Sequence, residues 1–305
     1  MSPFPPDTAL LPYRIVDAFT SSAYSGNPAS ILLFPSEYPR APDEAYMQSV
    51  AAEFNLSETA FLSSLPAVDS LPTYRLRWFT PQVEFPLCGH GTLASAHILF
   101  GEHHPEEKKI RFDTMSGTLF ASRVDDGRIE LDFPADVSVI EEVDPFEEDD
   151  VRDKLGQVSA ALLAAVVRIA RGKLAWIVEL KEEFELEKAV LDVGALKTLE
   201  GYFVFTQPAG PQRPGYDIYS RVFDPVETSP EDPVTGSAHC MLAPYWLSLG
   251  HPRLANSSSL VSSKTLKARQ GGRRQGELEI VWDVENWRCK LRGNAVTVME
   301  GRLRA

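Results

Sequence analysis

The sequence is poor in cysteine, with only Cys88, Cys240 and Cys289 in 305 residues. An odd number of thiols in a chain large enough to build its own core argues against a disulfide framework and for a reducing compartment. Long apolar runs are missing as well, since the longest, 160–167, is far too short to span a bilayer. The opening MSPFPPD has neither a basic stretch nor an apolar one, so the expectation is a soluble cytoplasmic protein with no membrane partner. Positive charge is scarce too: 30 Lys and Arg stand against 43 Asp and Glu, a formal net charge of -13. Such a field repels phosphate backbones and anionic lipid headgroups, which argues against a nucleic-acid partner. The one basic run, 264–274, lies among Gly and Gln and reads as a solvated hairpin. No Gly-x-x-x-x-Gly-Lys-Ser/Thr or Gly-x-Gly-x-x-Gly motif follows a strand, so nucleotide binding has little support.

What is present is ordinary globular composition, 44% hydrophobic and 24% charged, in a chain long enough for two units of roughly 100–200 residues each. Strands are predicted at 13–19, 28–34, 60–62 and 74–79, with a helix over 42–54 and a buried helix over 92–100. A hairpin-rich set follows at 110–113, 118–123 and 128–133. The acidic stretch 141–153 is the best candidate linker. Beyond it the order repeats: a helix near 155–165, strands at 174–180 and 202–206, a strand ending at Phe223, then a break and a helix. Phe79-Thr80-Pro81 precedes Cys88-Gly89-His90-Gly91-Thr92 as Phe223-Asp224-Pro225 precedes Thr235-Gly236-Ser237-Ala238-His239, almost half the chain later. The pattern implies duplicated α+β halves, 1–140 and 141–290, facing each other across a cleft, with 291–305 a last strand that packs back on the first half.

Each glycine-rich turn opens a helix, whose first amides are unpaired and carry a partial positive charge. Two such helix starts suit a small carboxylate: Gly89, Gly91 and Gly236 let backbone amides approach, and Ser237 offers a hydroxyl. His90 and Asp232 lie beside these turns and can move protons. Each also has a plainer reading, His90 as a helix-start residue bonded to backbone and Asp232 as a turn stabiliser before Pro233. Glu58 fits equally well as the third helical residue of a capping box.

Taken together, Asp17-Ala-Phe19, Gly26-Asn-Pro28, Asn55-Leu-Ser-Glu-Thr59, Arg77-Trp-Phe-Thr-Pro81, Pro86-Leu-Cys-Gly-His-Gly-Thr92 and Glu231-Asp-Pro-Val-Thr-Gly-Ser-Ala238 resemble the PhzF-like isomerases of phenazine biosynthesis. The resemblance covers nearly the whole chain, six motifs in the family's order. It implies a diaminopimelate-epimerase-like fold of two pseudo-symmetric halves, each with strands wrapped around a central helix, the site lying in the cleft between them. It further implies catalysis by Glu58, His90 and Asp232, and substrate contacts from Asn27, Gly89, Gly91, Thr235, Gly236 and Ser237. The reaction implied moves a proton on a small carboxylic acid, the glutamate serving as acid and base, with no metal and no organic cofactor. A homodimer is also implied.

Two alternatives stay open. In related epimerases and racemases a pair of cysteines at the two helix starts works as base and acid; here those places hold Cys88 and Thr235, so only a one-thiol elimination, epimerisation or dehydration is left to Cys88. Cys88 also reads simply as a small buried residue. The other alternative is a relative that binds a metabolite or a protein without turnover, with 141–153 as its surface.

Overall fold

The computed structural model describes residues 10–35, 38, 43–140, 143–226, 230–248 and 264–304. The chain forms two compact units, Met1–Leu131 with Gly293–Ala305, and Asp132–Arg292.

In the first unit β1 (Leu11–Ala18) and β2 (Asn27–Phe34) are antiparallel. The turn between them needs glycine: Gly26 has φ +66°, and a Cβ there would lie 2.1 Å from the Ala18 carbonyl oxygen. Helix α1 (Glu44–Phe54) starts where Asp43 accepts the Tyr46 amide at 3.1 Å and ends at Asn55 in the left-handed region. That stop turns the chain directly into β3 (Glu58–Val68), parallel to β2 with Ala29 opposite Glu58. β4 (Leu71–Phe79) runs antiparallel to it, Thr59 opposite Phe79, and the two-residue β5 (Glu84–Phe85) pairs with the end of β4 before α2 (Gly89–Ile98). β6 (Lys109–Thr114) and β7 (Gly117–Arg123) follow, then β8 (Ile129–Pro134), within which the chain passes from the first unit to the second. Helix α2 is buried along nearly its whole length and packs against β1, β2, β3 and β7. On one face of β2, β3 and β4, Leu32, Phe34, Phe61 and Phe79 form a core with Met47 and Val50 of α1.

The acidic stretch expected to be a linker is largely helix, α3 spanning Pro145–Val158; residues 141–142 lie outside the described residues. Asp144 caps it by accepting the Phe146 amide at 2.9 Å, and Glu147 and Glu148 sit in the first turn, where the helix dipole favours negative charge. Val151 and Leu155 are fully buried, so the stretch reads as solvated only on one side. The single helix expected at 155–165 is broken by Ser159, which ends α3 and caps α4 (Ala160–Ala165) through the Leu162 amide at 3.3 Å. The apolar run then continues into a strand, β9 (Val166–Arg171).

From there the second unit repeats the first. β10 (Ala175–Leu180) is parallel to β11 (Tyr202–Pro208) with Ala175 opposite Tyr202, and β11 is antiparallel to β12 (Ile218–Phe223) with Phe203 opposite Phe223. The two-residue β13 (Glu231–Asp232) pairs with the end of β12 and leads to the buried helix α5 (Gly236–Leu247). The basic run folds as the hairpin of β14 (Thr265–Gln270) and β15 (Gly276–Asp283), followed by β16 (Arg288–Gly293). β17 (Ala295–Leu303) belongs to the first unit, antiparallel to β1. Among the described residues no helix is long and apolar enough to cross a membrane.

One ion pair recurs in both units. Arg77 of β4 grips Glu84 of β5 with two bonds of 2.6 and 2.5 Å, and Arg221 of β12 grips Glu231 of β13 with two of 2.7 and 2.8 Å. Each guanidinium also lies over the phenylalanine two residues on, Phe79 at 5.1 Å and Phe223 at 5.0 Å from the ring centre. Two-residue strands have little hold of their own, so this forked bond fixes the segment that delivers each helix start. The pairs differ in burial: the Arg221 side chain is 8% exposed, the Arg77 side chain 21%. Arg221→Met leaves not only Glu231 but also the carbonyls of Leu186 and Ala189 without their donor, and should cost the second unit about 3 kcal/mol, against a clearly smaller cost for Arg77→Met in the first. Urea unfolding of the two variants beside wild type checks this; equal, near-zero costs would show the clamps to be ornamental.

Candidate functional site

The first helix start gathers Asn27, Ser57, His90 and Cys88 in one line of contacts, and Glu58 follows Ser57 in the chain. β2 begins at fully buried Asn27, and β3, one strand over, begins at Glu58, 5% exposed. Glu58 is therefore a strand residue, and the capping-box reading fails because α1 has already ended at Asn55. Ser57 donates its hydroxyl toward Asn27 Oδ1 at 2.8 Å and the Pro28 carbonyl at 3.0 Å. Its oxygen is left to accept from His90 Nε2, 3.4 Å away, which makes Nδ1 the unprotonated nitrogen, and that atom faces Cys88 Sγ at 3.4 Å. Cys88 caps α2 by accepting the Gly91 amide at 3.3 Å. Burial pushes the His90 imidazole down to about 3, so at neutral pH it is an uncharged hydrogen-bonding group. Gly91 is needed for packing: a Cβ would lie 2.9 Å from Trp78 Cδ1.

The second helix start has a different set in the same frame. Thr235 stands at the cap and donates its hydroxyl to Asp232 Oδ2 at 2.5 Å. Gln270, fully buried on β14, ties the turn together: its amide nitrogen donates to the Asp232 carbonyl at 2.8 Å and to Thr235 Oγ1 at 3.0 Å, while its oxygen accepts the Thr235 amide at 2.9 Å. Ser237 Oγ lies 3.3 Å from the Tyr202 hydroxyl. One turn on, His239 Nδ1 donates to the Thr235 carbonyl at 2.8 Å, the bond that Thr92 Oγ1 makes to the Cys88 carbonyl at 2.5 Å in α2. Burial lowers His239 to about 4. No group of three or more His, Cys, Asp or Glu among the described residues is placed to hold a metal.

The first unit thus joins Asn27 to His90 through Ser57, with Glu58 the residue after Ser57 and with Gly89 and Gly91 flanking His90, and the second brings together Asp232, Thr235, Gly236 and Ser237. Ser57, Gln270, Tyr202, His239 and the two clamps were not singled out from sequence. The clamps had a signal: Arg-x-Phe followed by Glu-x-Pro-x-x-Gly occurs at 77–89 and again at 221–236. Gln270 had none, because it comes from a strand far along the chain.

Two units each built around a buried helix, with strands in a repeated order, define the diaminopimelate-epimerase-like fold. The crystal structure of a probable proline racemase from Agrobacterium radiobacter shares it, with a TM-score of 0.57 over 96% of this chain and 92% of that one, at 11% identity that speaks for the fold alone. Within this class the chain belongs to the phenazine biosynthesis-like (PhzC-PhzF) family, whose model matches residues 16–301. A PhzF family structure from Enterococcus faecalis has a TM-score of 0.77 at 32% identity, covering 97% of this chain and 100% of that one. The mouse phenazine biosynthesis-like domain-containing protein 2 is 37% identical over 97% of this chain and 99% of its own length. A protein of Halalkalibacterium halodurans named as an uncharacterized isomerase is 38% identical over 96% and 98%.

The two neutral histidines give a pH prediction. Their folded values lie below the unfolded value near 6.5, so their contribution is intact above 6.5 and is lost as pH falls toward 4 and 3, because the unfolded chain binds the proton first. Each should account for about 2 kcal/mol of the stability lost between pH 7 and 5. His90→Gln and His239→Gln, measured by urea midpoint at both pH values, should each lose less on acidification than wild type; an unchanged pH dependence would mean the imidazoles take up protons in the fold.

Proposed function

We propose that this chain is a cofactor-independent isomerase in which Glu58 takes a proton from a carbon of a small unsaturated or amino carboxylic acid and returns one at another carbon. The observation that carries the reading is the placement of Glu58: a buried carboxyl at the first residue of a central strand, next in the chain to the Ser57 that links Asn27 and His90, where it serves no helix cap. General acid–base work at carbon needs a carboxyl fixed by packing and shielded from bulk water. An uncharged His90 holds geometry and donates or accepts hydrogen bonds without competing for the proton. Asp232, Thr235, Gly236 and Ser237 are assigned the holding of the acid's polar groups, using amides of the first turn of α5. The match to relatives named as isomerases supports the class of reaction; the identity of the acid rests on this chemistry alone.

A second reading is favoured by one contact, that of Cys88 Sγ with His90 Nδ1 at 3.4 Å, the geometry of a thiol with an adjacent base. Its counterpart Thr235 offers no second thiol.

The experiment that separates them incubates wild type, Glu58→Gln and Cys88→Ser with cyclic unsaturated carboxylic acids and α-amino acids in deuterated water, reading label at carbon by NMR. Wild type should incorporate deuterium into at least one acid, Glu58→Gln should be slower by a factor on the order of 10² or more, and Cys88→Ser should remain close to wild type. Near-native exchange by Glu58→Gln would overturn the proposal, and collapse in Cys88→Ser with survival of Glu58→Gln would establish the thiol reading.

A further inference from the structure

The internal repeat places a residue that the sequence reading passed over. In the first unit Glu58 opens β3, opposite Ala29 on the parallel neighbour, and the next residue, Thr59, lies opposite Phe79. In the second unit Tyr202 opens β11, opposite Ala175 on the parallel neighbour, and the next residue, Phe203, lies opposite Phe223. Phe79 and Phe223 are the paired phenylalanines under the two arginine clamps, so the register is fixed independently of the strands themselves. Tyr202 therefore occupies in the second unit the place of Glu58 in the first. The correspondence extends to the helix: counting from the caps Cys88 and Thr235, the second helical residue is His90 in α2 and Ser237 in α5.

We infer that Tyr202 is a substrate-binding residue, its phenolic O–H donating a hydrogen bond to the carboxylate that the second helix start holds. The inference deepens the function proposed above and rests on it. Local structure aims the side chain. Gly201, at φ +95°, brings the chain so close to Leu174 that a Cβ would lie 2.5 Å from its carbonyl oxygen, and the Tyr202 amide donates to that same oxygen at 3.1 Å. The ring thus leaves a pinned backbone, and its hydroxyl reaches Ser237 Oγ at 3.3 Å, on the first turn of α5. The first-turn amides of Gly236, Ser237 and Ala238 have no acceptor within the helix, and they lie on the same turn as the hydroxyl that Tyr202 meets. With Ser237 giving its proton to the phenol oxygen, the phenol proton is left for the ligand. Burial and the negative charges of Asp136 and Asp232 keep the phenol in its protonated form, so it is a donor at neutral pH. A glutamate at this place would repel a carboxylate; a phenol attracts one. The two halves thereby use one strand position for opposite tasks, proton transfer in the first and anion recognition in the second.

The test uses the full chain and two probes of one shape, cyclohex-1-ene-1-carboxylate and its uncharged amide, with affinities measured by calorimetry for wild type, Tyr202→Phe and Ser237→Ala. Wild type should prefer the carboxylate to the amide. Tyr202→Phe removes only the hydroxyl and should weaken the carboxylate about 10-fold or more while leaving the amide nearly unaffected, because hydrogen bonds to charged acceptors are the strong ones. Ser237→Ala should weaken it by a smaller factor. A purely structural tyrosine would lower the urea midpoint of Tyr202→Phe and leave the preference for charge intact. Carboxylate affinity in Tyr202→Phe equal to that of wild type, with wild type still preferring the charged probe, would overturn this inference and leave the proposed function standing. No preference for the carboxylate in wild type would remove the anion-holding role of the second helix start and the inference with it.

Discussion

The forked ion pair between a strand arginine and a glutamate on a two-residue strand is the constraint on which each half depends. A strand of two residues cannot hold itself, yet in each unit it decides where the following helix begins. Arg77 with Glu84 and Arg221 with Glu231 supply that hold, and the phenylalanine beneath each guanidinium ties the pair to the hydrophobic core. In the second unit the fit is tight enough that a Cβ on Gly272 would lie 2.8 Å from Glu231 Oε1 and 3.0 Å from Arg221 Nε. Arg221 also donates to the carbonyls of Leu186 and Ala189, joining a loop to the same anchor.

On this shared frame the chemistry diverges position by position. The cap is a thiol in one half and a hydroxyl in the other, the second helical residue is an uncharged imidazole or a serine, and the residue opening the central strand is a carboxyl or a phenol. A two-thiol mechanism has no place here, since Thr235 spends its hydroxyl on Asp232 and cannot act as a thiolate. What the second half gains is a rigid polar turn, with Gln270 bonded three ways to Asp232 and Thr235. A fully satisfied buried amide of this kind fixes geometry at little cost, whereas a partly satisfied one would loosen it.

Much of this frame was visible in the sequence because it rests on local signals. Glycine turns before apolar helices, the Phe-x-Pro breaks and the spacing between them gave the duplication, and they did so because backbone conformations that demand glycine leave a fixed mark. Charge runs were less faithful. The stretch 141–153 looked like a linker, yet Asp144 caps a helix there and Glu147 and Glu148 lie in its first turn, where they stabilise, and the buried Val151 and Leu155 on its inner face were outweighed in a count of charges. Glu58 was ambiguous because Asn55-Leu-Ser-Glu fits a helix start as well as a helix stop; only the left-handed Asn55 decides between them. Gln270, Ser57 and Tyr202 act through partners distant in the chain, and such pairings leave no periodicity to read.

The central claim is that one buried carboxyl carries a proton away from carbon and brings one back. It is tested most directly by a single turnover in ordinary water of the acid that the enzyme converts, deuterated at the carbon that loses its proton, with the product read by mass spectrometry. A shuttling Glu58 predicts that part of the deuterium reappears at the new carbon in wild type and that the transfer vanishes in Glu58→Gln. Undiminished transfer in Glu58→Gln, or complete loss of the label to solvent in the first turnover of wild type, would contradict it.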